Sequence, residues 1–171
     1  MPQQISNPQP PRGFKRFFFR LPIWLYRLGC GWLLGKRFLL LNHIGRRSGL
    51  PRQTVLEVVN YEADTDTFFI ASGFGKQSDW YRNLLKTPAV TIQVGRWQMN
   101  VITHPLTPEE SGEAMVNYAR RYPKAARLIC RQVGYQIDGS EDDYRVIGQE
   151  AIPFVELQQM DNGGLRHDTV R

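Results

Sequence analysis

The first 56 residues contain no aspartate or glutamate, against ten lysines and arginines. The remainder of the chain carries 12 basic and 16 acidic residues, so the net charge of +6 is gathered at one end. A field of one sign raises the local concentration of anionic partners, whether a phosphorylated cofactor, an anionic lipid or nucleic acid. Cysteine is scarce: Cys30 and Cys130 are far apart, with no paired spacing. That excludes a disulfide framework and a structural zinc set and points to a reduced intracellular protein. His43, His104 and His167 stand singly and read as surface or packing residues, so no metal site is expected. A long uninterrupted apolar run is also missing. Phe14 to Leu34 is rich in Phe, Leu and Trp, yet Lys15, Arg16, Arg20, Pro22 and Arg27 break it, which excludes a spanning helix and a secretory leader.

What remains fits one domain of 171 residues, 42% hydrophobic and 12% aromatic, large enough for a core without staples. Four prolines and several amides mark residues 1–12 as a disordered lead-in. Residues 13–36 read as a basic amphipathic helix, residues 37–157 as the folded domain, and residues 158–171 as a flexible tail. The helix has two readings: its cations and aromatics could lie on an anionic bilayer, or it could pack on its own domain.

Within the domain, strands are expected at Arg37–His43, Gln53–Tyr61, Thr67–Ser72, Val90–Val94, Trp97–Thr103 and Ile152–Leu157. Ser78 followed by Asp79 predicts a short helix closed before Pro88. Thr107-Pro108-Glu109-Glu110 has the form of a capping box and opens a helix to about Tyr122, with a second helix over Lys124–Val133 and a third from Ser140. Six strands joined mostly by short turns, with helices gathered at the ends and one across the middle, predict an antiparallel barrel of the α+β class.

The strongest chemical signal is the stretch Asn42 to Arg52, which places Arg46, Arg47, Arg52, Ser48, Gly45 and Gly49 in one turn between two strands. Guanidinium forks match phosphate or carboxylate oxygens, and glycines let backbone N–H groups approach the same anion. A plain solvated basic turn is the alternative. A second loop, Ser72-Gly73-Phe74-Gly75-Lys76, leaves the end of the third strand and runs into the helix at Ser78, whose N-terminus adds a positive partial charge. On these grounds Arg46, Arg47, Ser48, Gly49 and Arg52 are candidates for an anion, and Ser72, Gly73, Phe74, Gly75 and Lys76 for adjoining contacts. Trp80 and Tyr81 are candidates for either ligand contact or core packing.

Taken in order, Gly45-Arg46-Arg47-Ser48-Gly49, Pro51-Arg52, Ala71-Ser72-Gly73, Asp79-Trp80-Tyr81-Arg82-Asn83-Leu84 and Pro88-Ala89-Val90 resemble the deazaflavin-dependent nitroreductase and quinone reductase family. The resemblance spans about Leu21 to Leu157. It implies a six-stranded split β-barrel, akin to the pyridoxamine-phosphate-oxidase-like FMN-binding proteins, and the deazaflavin coenzyme F420. The basic turn would then take the phosphodiester and acidic tail, and Ser72 to Lys76 the deazaflavin ring. The implied activity is hydride transfer from reduced F420 to a quinone-like, nitro or conjugated-alkene acceptor, the cofactor carrying the hard chemistry. Tyr118, Tyr122 and Tyr135 are the candidate catalytic proton donors, with Ser72 or water as alternatives between which the sequence does not choose.

This chain departs from nitro-activating members of the family, which are similar in having a Ser-Lys-Gly-Gly loop and a tyrosine-rich wall in the late helices. Here the lysine is displaced to Lys76, and Ala125, Ala126 and Leu128 make much of that wall aliphatic. The alternatives are an FMN-binding oxidoreductase on the same barrel and a non-catalytic member that binds lipid or a membrane surface. Nucleic acid is not an expected partner, because the aromatics cluster in an apolar helix and are not spaced along basic strands. The expected setting is cytoplasmic, as monomer or homodimer, with residues 13–36 as the possible contact to the inner face of a membrane.

Overall fold

The computed structural model describes residues 2–4, 26 and 35–160. Nearly all of the expected N-terminal helix, and the tail beyond Met160, lie outside the described residues. In chain order the elements are β1 (Gln3–Gln4), β2 (Phe38–Ile44), β3 (Pro51–Glu62), β4 (Thr67–Ala71), α1 (Asp79–Lys86), β5 (Ala89–Val94) and β6 (Trp97–Pro105). They continue with α2 (Pro108–Arg121), α3 (Pro123–Gln132), β7 (Tyr135–Gln136), α4 (Glu141–Glu150) and β8 (Phe154–Gln159).

Six strands close into a barrel in the order β2-β3-β4-β8-β6-β5, and every neighbouring pair is antiparallel. Closure leaves no unpaired strand edge, which is how a small sheet satisfies its backbone groups without a covering layer. Gln3 and Gln4, within the expected lead-in, pair with Gln136 and Tyr135. Tyr26 is buried and donates its hydroxyl to the Phe38 carbonyl at 2.8 Å, which ties that residue to β2.

Every strand is found, with ends shifted by one or two residues from the sequence reading, and the shifts in β3 and β8 have clear physical reasons. β3 starts at Pro51, which pairs with Ile44, so Arg52 belongs to the strand and faces His43 across the ladder. Proline is accepted there because the first residue of a strand need not donate. β8 starts after Pro153 and runs on to Gln159, with Gln158 paired to both Thr67 and Ile102. Polar side chains hid this extension, because ladder bonds are made by the backbone whatever the side chain.

Strand alternation sends Leu39 and Leu41 of β2, Ile70 of β4, Ile92 of β5 and Leu157 of β8 into one core. Helix α1 joins this core through Tyr81 and Leu84, three residues apart and so on one helical face. A second apolar cluster forms where α2, α3 and α4 pack against Val59 and Phe154. Helix α2 starts on the predicted capping box: Thr107 Oγ1 accepts from Glu110 N at 3.2 Å, and Glu110 Oε2 accepts from Thr107 N at 2.8 Å. Ser140 caps α4 by accepting from Asp143 N.

Since α1 is held to the barrel largely by its buried apolar face, Leu84→Ala should lower stability by about 2–5 kcal/mol. The neighbouring Leu85→Ala, at a side chain 56% exposed, should change it by no more than about 0.5 kcal/mol. Denaturant unfolding of the two variants checks this, and equal effects would mean that α1 is not anchored in the core.

Candidate functional site at the basic turn

The β2–β3 hairpin is closed by Gly45 N donating to Leu50 O at 2.9 Å and Gly49 N donating to Gly45 O at 2.8 Å. Gly49 has φ +68, the left-handed conformation that glycine adopts without strain. Gly45 matters for a different reason. A Cβ there would lie 2.7 Å from both Arg52 Nε and Ser48 Oγ, so its bare backbone is what lets the Arg52 side chain cross over the turn. Arg52 Nη2 reaches Ser48 Oγ at 3.5 Å. Arg47, Ser48, Gly49 and Arg52 are all exposed, and neither Arg47 nor Arg52 pairs with a carboxylate among the described residues.

Arg46 is placed differently. Its backbone N–H donates to Asn83 Oδ1 at 3.0 Å, and its guanidinium Nη1 reaches Asp79 Oδ1 at 2.8 Å and Asn83 Oδ1 at 3.2 Å. Its carbonyl accepts from Lys86 Nζ at 2.9 Å. Asp79, Asn83 and Lys86 follow the i, i+4, i+7 spacing of one face of α1, so a single polar stripe grips residue 46 from side chain to carbonyl. The Arg46 guanidinium beside it holds the Asp79 carboxyl below the usual carboxylate range. The expected N-terminal anion site of α1 therefore already carries a carboxylate with its own cation. Cys130, by contrast, lies among the outer helices, and burial pushes its thiol up to about 12.

Behind this contact lies His43, 5% exposed, with Nδ1 3.0 Å from Asn83 Nδ2. Because Asn83 Oδ1 is occupied by Arg46, the amide nitrogen must be the group facing His43, and Nδ1 must accept. The imidazole is thus neutral with its proton on Nε2. Burial, then the positive charge of Arg52, lower its pKa to about 4 against a smaller opposing pull from Asp79.

The glycine loop reaches the same helix from the other side. Ser72 is fully buried; its hydroxyl donates to Gly75 O at 2.8 Å and lies 2.6 Å from Ser78 Oγ. Ser78 stands at the N-cap position of α1 as expected, but its hydroxyl makes no capping bond and donates to Ser72 instead. A 3-10 turn over Gly75–Gln77 follows, and Arg82 Nε of α1 donates to Lys76 O at 3.2 Å. The Ser72 and Ser78 hydroxyls therefore lock the loop, which leaves Gly73, Phe74 and Lys76 as its half-buried or exposed parts. A Cβ on Gly73 would meet nothing nearer than Gln132 Oε1 at 3.9 Å, so the space directly beside its Cα is not filled. Tyr81 is a core residue, and Trp80, partly buried, packs edge-on to it with ring centroids 6.0 Å apart.

The three candidate tyrosines stand along the outer helices. Tyr118 of α2 is buried, with its hydroxyl 3.5 Å from Glu57 Oε2 of β3, and burial next to that carboxylate pushes its pKa up to about 12. Tyr122 is 47% exposed, and its ring centroid lies 5.5 Å from that of Tyr118. Tyr135 is half-buried in β7 and packs on the outer cluster. Tyr118 also lines a cavity of about 460 Å³ between α2 and the far part of β3, floored by Val59, Phe69, Leu106, Ala114 and Phe154 and edged by Glu62, Glu109 and Glu113.

The basic turn, α1 and the glycine loop are thus brought together, whereas Tyr118 meets β3 at Glu57, a strand rise of about 17 Å beyond Arg52 and, by alternation, on the other face. Sequence reasoning passed over His43, Asn83 and Glu57. The spacing of Asp79, Asn83 and Lys86 was the available signal for the contact with the turn.

Comparison with known proteins adds an independent finding. Residues 22–133 match the family model described as F420H(2)-dependent quinone reductase. An F420H(2)-dependent quinone reductase of Mycobacterium tuberculosis is 32% identical over 104 residues, covering 56% of this chain and 68% of that protein. A solved F420-H2 dependent reductase superposes with a TM-score of 0.51 at 20% identity, covering 72% of this chain and 96% of that one. A pyridoxamine 5'-phosphate oxidase-related, FMN binding protein of Nostoc punctiforme superposes with a TM-score of 0.53 at 16% identity, covering 86% and 81%. At those identities the two structures speak for the fold, the split barrel anticipated from the sequence.

The low pKa of His43 has a consequence for stability. Between the ordinary histidine value of 6.5 and about 4, the unfolded chain takes up a proton that the folded chain refuses. Stability is therefore complete above about pH 6.5 and falls as pH drops through this window, by on the order of 3 kcal/mol. His43→Gln keeps a hydrogen-bonding side chain and removes the titration. Unfolding free energies of the two proteins from pH 7 to pH 4 should converge as the pH falls; parallel curves would mean that His43 titrates normally.

Proposed function

The chain belongs to the F420H(2)-dependent quinone reductase family, and on that premise we propose that Arg47, Ser48, Gly49 and Arg52 hold the phosphate and acidic tail of F420, with a quinone as the acceptor. The protein is an F420-dependent oxidoreductase. The observation that carries the assignment is the pair of exposed guanidinium groups, Arg47 and Arg52, that have no carboxylate partner among the described residues, on a turn whose third arginine is already neutralised. Such a donor set fits a phosphodiester and carboxylates, to which guanidinium forks bond strongly.

In this reading the loop from Ser72 to Lys76 flanks the deazaflavin ring, the unfilled space beside the Gly73 Cα leaving room for a planar group. Bound and reduced, F420 supplies a hydride equivalent to the acceptor. The chain's own part is to bind, orient and manage a proton. Tyr118 stays protonated through neutral pH, and its hydroxyl is held on Glu57. It is our candidate proton donor on the acceptor side, with Tyr122 as its exposed neighbour and Tyr135 further along the helical wall. The cavity beside Tyr118, with its apolar floor, is within the size range of small-molecule sites and suits a flat, neutral, apolar acceptor. The carboxylates at its edge disfavour an anionic one.

Among the described residues no helix is long and apolar enough to cross a membrane. Membrane contact through residues 13–36 stays a proposal resting on their sequence alone.

Replacing Arg47 and Arg52 together with alanine should weaken F420 binding at least about tenfold, the loss expected for charge-assisted hydrogen bonds, with an unchanged melting temperature. Fluorescence titration with F420 measures this; wild-type affinity would remove the assignment, and retention of FMN in place of F420 would redirect it to the flavin. Tyr118→Phe should lower kcat for quinone reduction about 100-fold while leaving F420 affinity alone. An unchanged kcat would exclude Tyr118 as the proton donor.

A further inference from the structure

Three arginines stand in or beside one turn, and their surroundings divide them. Arg47 and Arg52 are exposed, whereas the Arg46 side chain is only 20% exposed and lies on α1. Every backbone polar group of Arg46 is also taken, its N–H by Asn83 and its carbonyl by Lys86. Within α1, Asn83 is the residue that makes this possible. It is 2% exposed, and its amide oxygen accepts from both the backbone and the guanidinium of Arg46 while its amide nitrogen donates to His43.

We propose that Asn83 is a positioning residue for the anion-binding turn: its side-chain amide sets Arg46 against α1 as an anchor, so that Arg47, Ser48 and Arg52 face the anionic part of the cofactor. This rests on the assignment of the turn to F420 above. Asparagine suits the position because one end of its side chain must accept and the other donate. A leucine of similar size would leave the Arg46 N–H and His43 Nδ1 buried without partners, and an aspartate would set a carboxylate against the neutral His43 lone pair. Neutral His43 supplies the acceptor that orients the amide. The charged groups that act on His43 are Arg52 on β3 and Asp79 on α1, and the positive charge of Arg52 helps to keep its ring uncharged.

The division of labour makes a prediction that a shared ligand role for all three arginines does not. An arginine that contacts the cofactor's anions contributes to the salt dependence of binding, because salt screens that contact. An anchor already paired with Asp79 does not, provided that Arg46→Ala is made together with Asp79→Asn so that no unpaired carboxylate is left beside the turn. Residues acting through one contact are also non-additive. F420 affinity is therefore measured by fluorescence titration over a range of salt concentrations for Asn83→Ala, Arg46→Ala (with Asp79→Asn), their double variant and Arg47→Ala, with melting temperatures recorded alongside.

The expected result is that Asn83→Ala and Arg46→Ala each weaken F420 binding on the order of tenfold with the wild-type salt slope. The double variant should be no weaker than either, and Arg47→Ala should weaken binding with a shallower slope. A lowered melting temperature with wild-type affinity in Asn83→Ala would overturn the proposal and leave a purely structural asparagine. So would a shallower slope in Arg46→Ala that adds to the effect of Asn83→Ala, since Arg46 would then be a ligand. If Asn83→Ala does not fold, the slopes of Arg46→Ala and Arg47→Ala decide. An Arg47→Ala, Arg52→Ala variant that binds F420 normally would remove the reading of the turn itself, an outcome distinct from failure of the Asn83 proposal alone.

Discussion

The contact between one short helix and one hairpin turn organises this molecule. Helix α1 is eight residues long, too short to be stable by itself. Tyr81 and Leu84 hold it in the barrel core on one side, and Asp79, Asn83 and Lys86 grip Arg46 on the other. Apolar burial supplies the adhesion and the polar stripe supplies the register. A basic turn without such a clamp would be held mainly by its two internal backbone bonds.

That clamp also explains how a cluster of like charges is tolerated. Among Arg46, Arg47, Arg52, Lys76, Arg82 and Lys86, the local carboxylate is Asp79, and it is taken by Arg46. Arg82 and Lys86 spend their donors on the backbone carbonyls of Lys76 and Arg46. Arg82 and Lys86 thereby act as struts between loop, helix and turn while keeping their charge, which adds to that of the exposed Arg47, Arg52 and Lys76. With Asp79 spent on Arg46, the field at this end stays positive, as attraction of an anionic cofactor tail would require.

Strand β3 connects the two halves of the proposed site. It begins at the basic turn, passes Glu57 beneath Tyr118, and reaches the apolar cavity at Val59 and Asn60. The register break at Val58/Asn60 falls where the strand passes from the barrel core to the cluster under α2. Charge lies at one end and an apolar, acid-edged pocket at the other, and the proposed placement of cofactor tail and acceptor rests on that separation.

Much of this was legible in the chain. Alternating apolar residues, the Thr107–Glu110 capping box and the Ser140 cap located the strands and helices, and the charge asymmetry with the glycine-bounded arginines located the basic turn, because these are local signals carried by adjacent residues. The extension of β8 through Gln159 was not legible, since backbone pairing leaves no mark on side-chain polarity. Nor were the contacts of Arg46, Ser72 and Ser78, which look like ligand and cap residues in sequence and spend hydrogen bonds on α1 and on each other in the fold. Sequence alone determined which side chains can meet an anion. Only the tertiary structure decided which of them are free to do so, because Asn83 lies 37 residues from Arg46 and 40 from His43 along the chain, and the claims it makes on them exist only when barrel and helix have closed together.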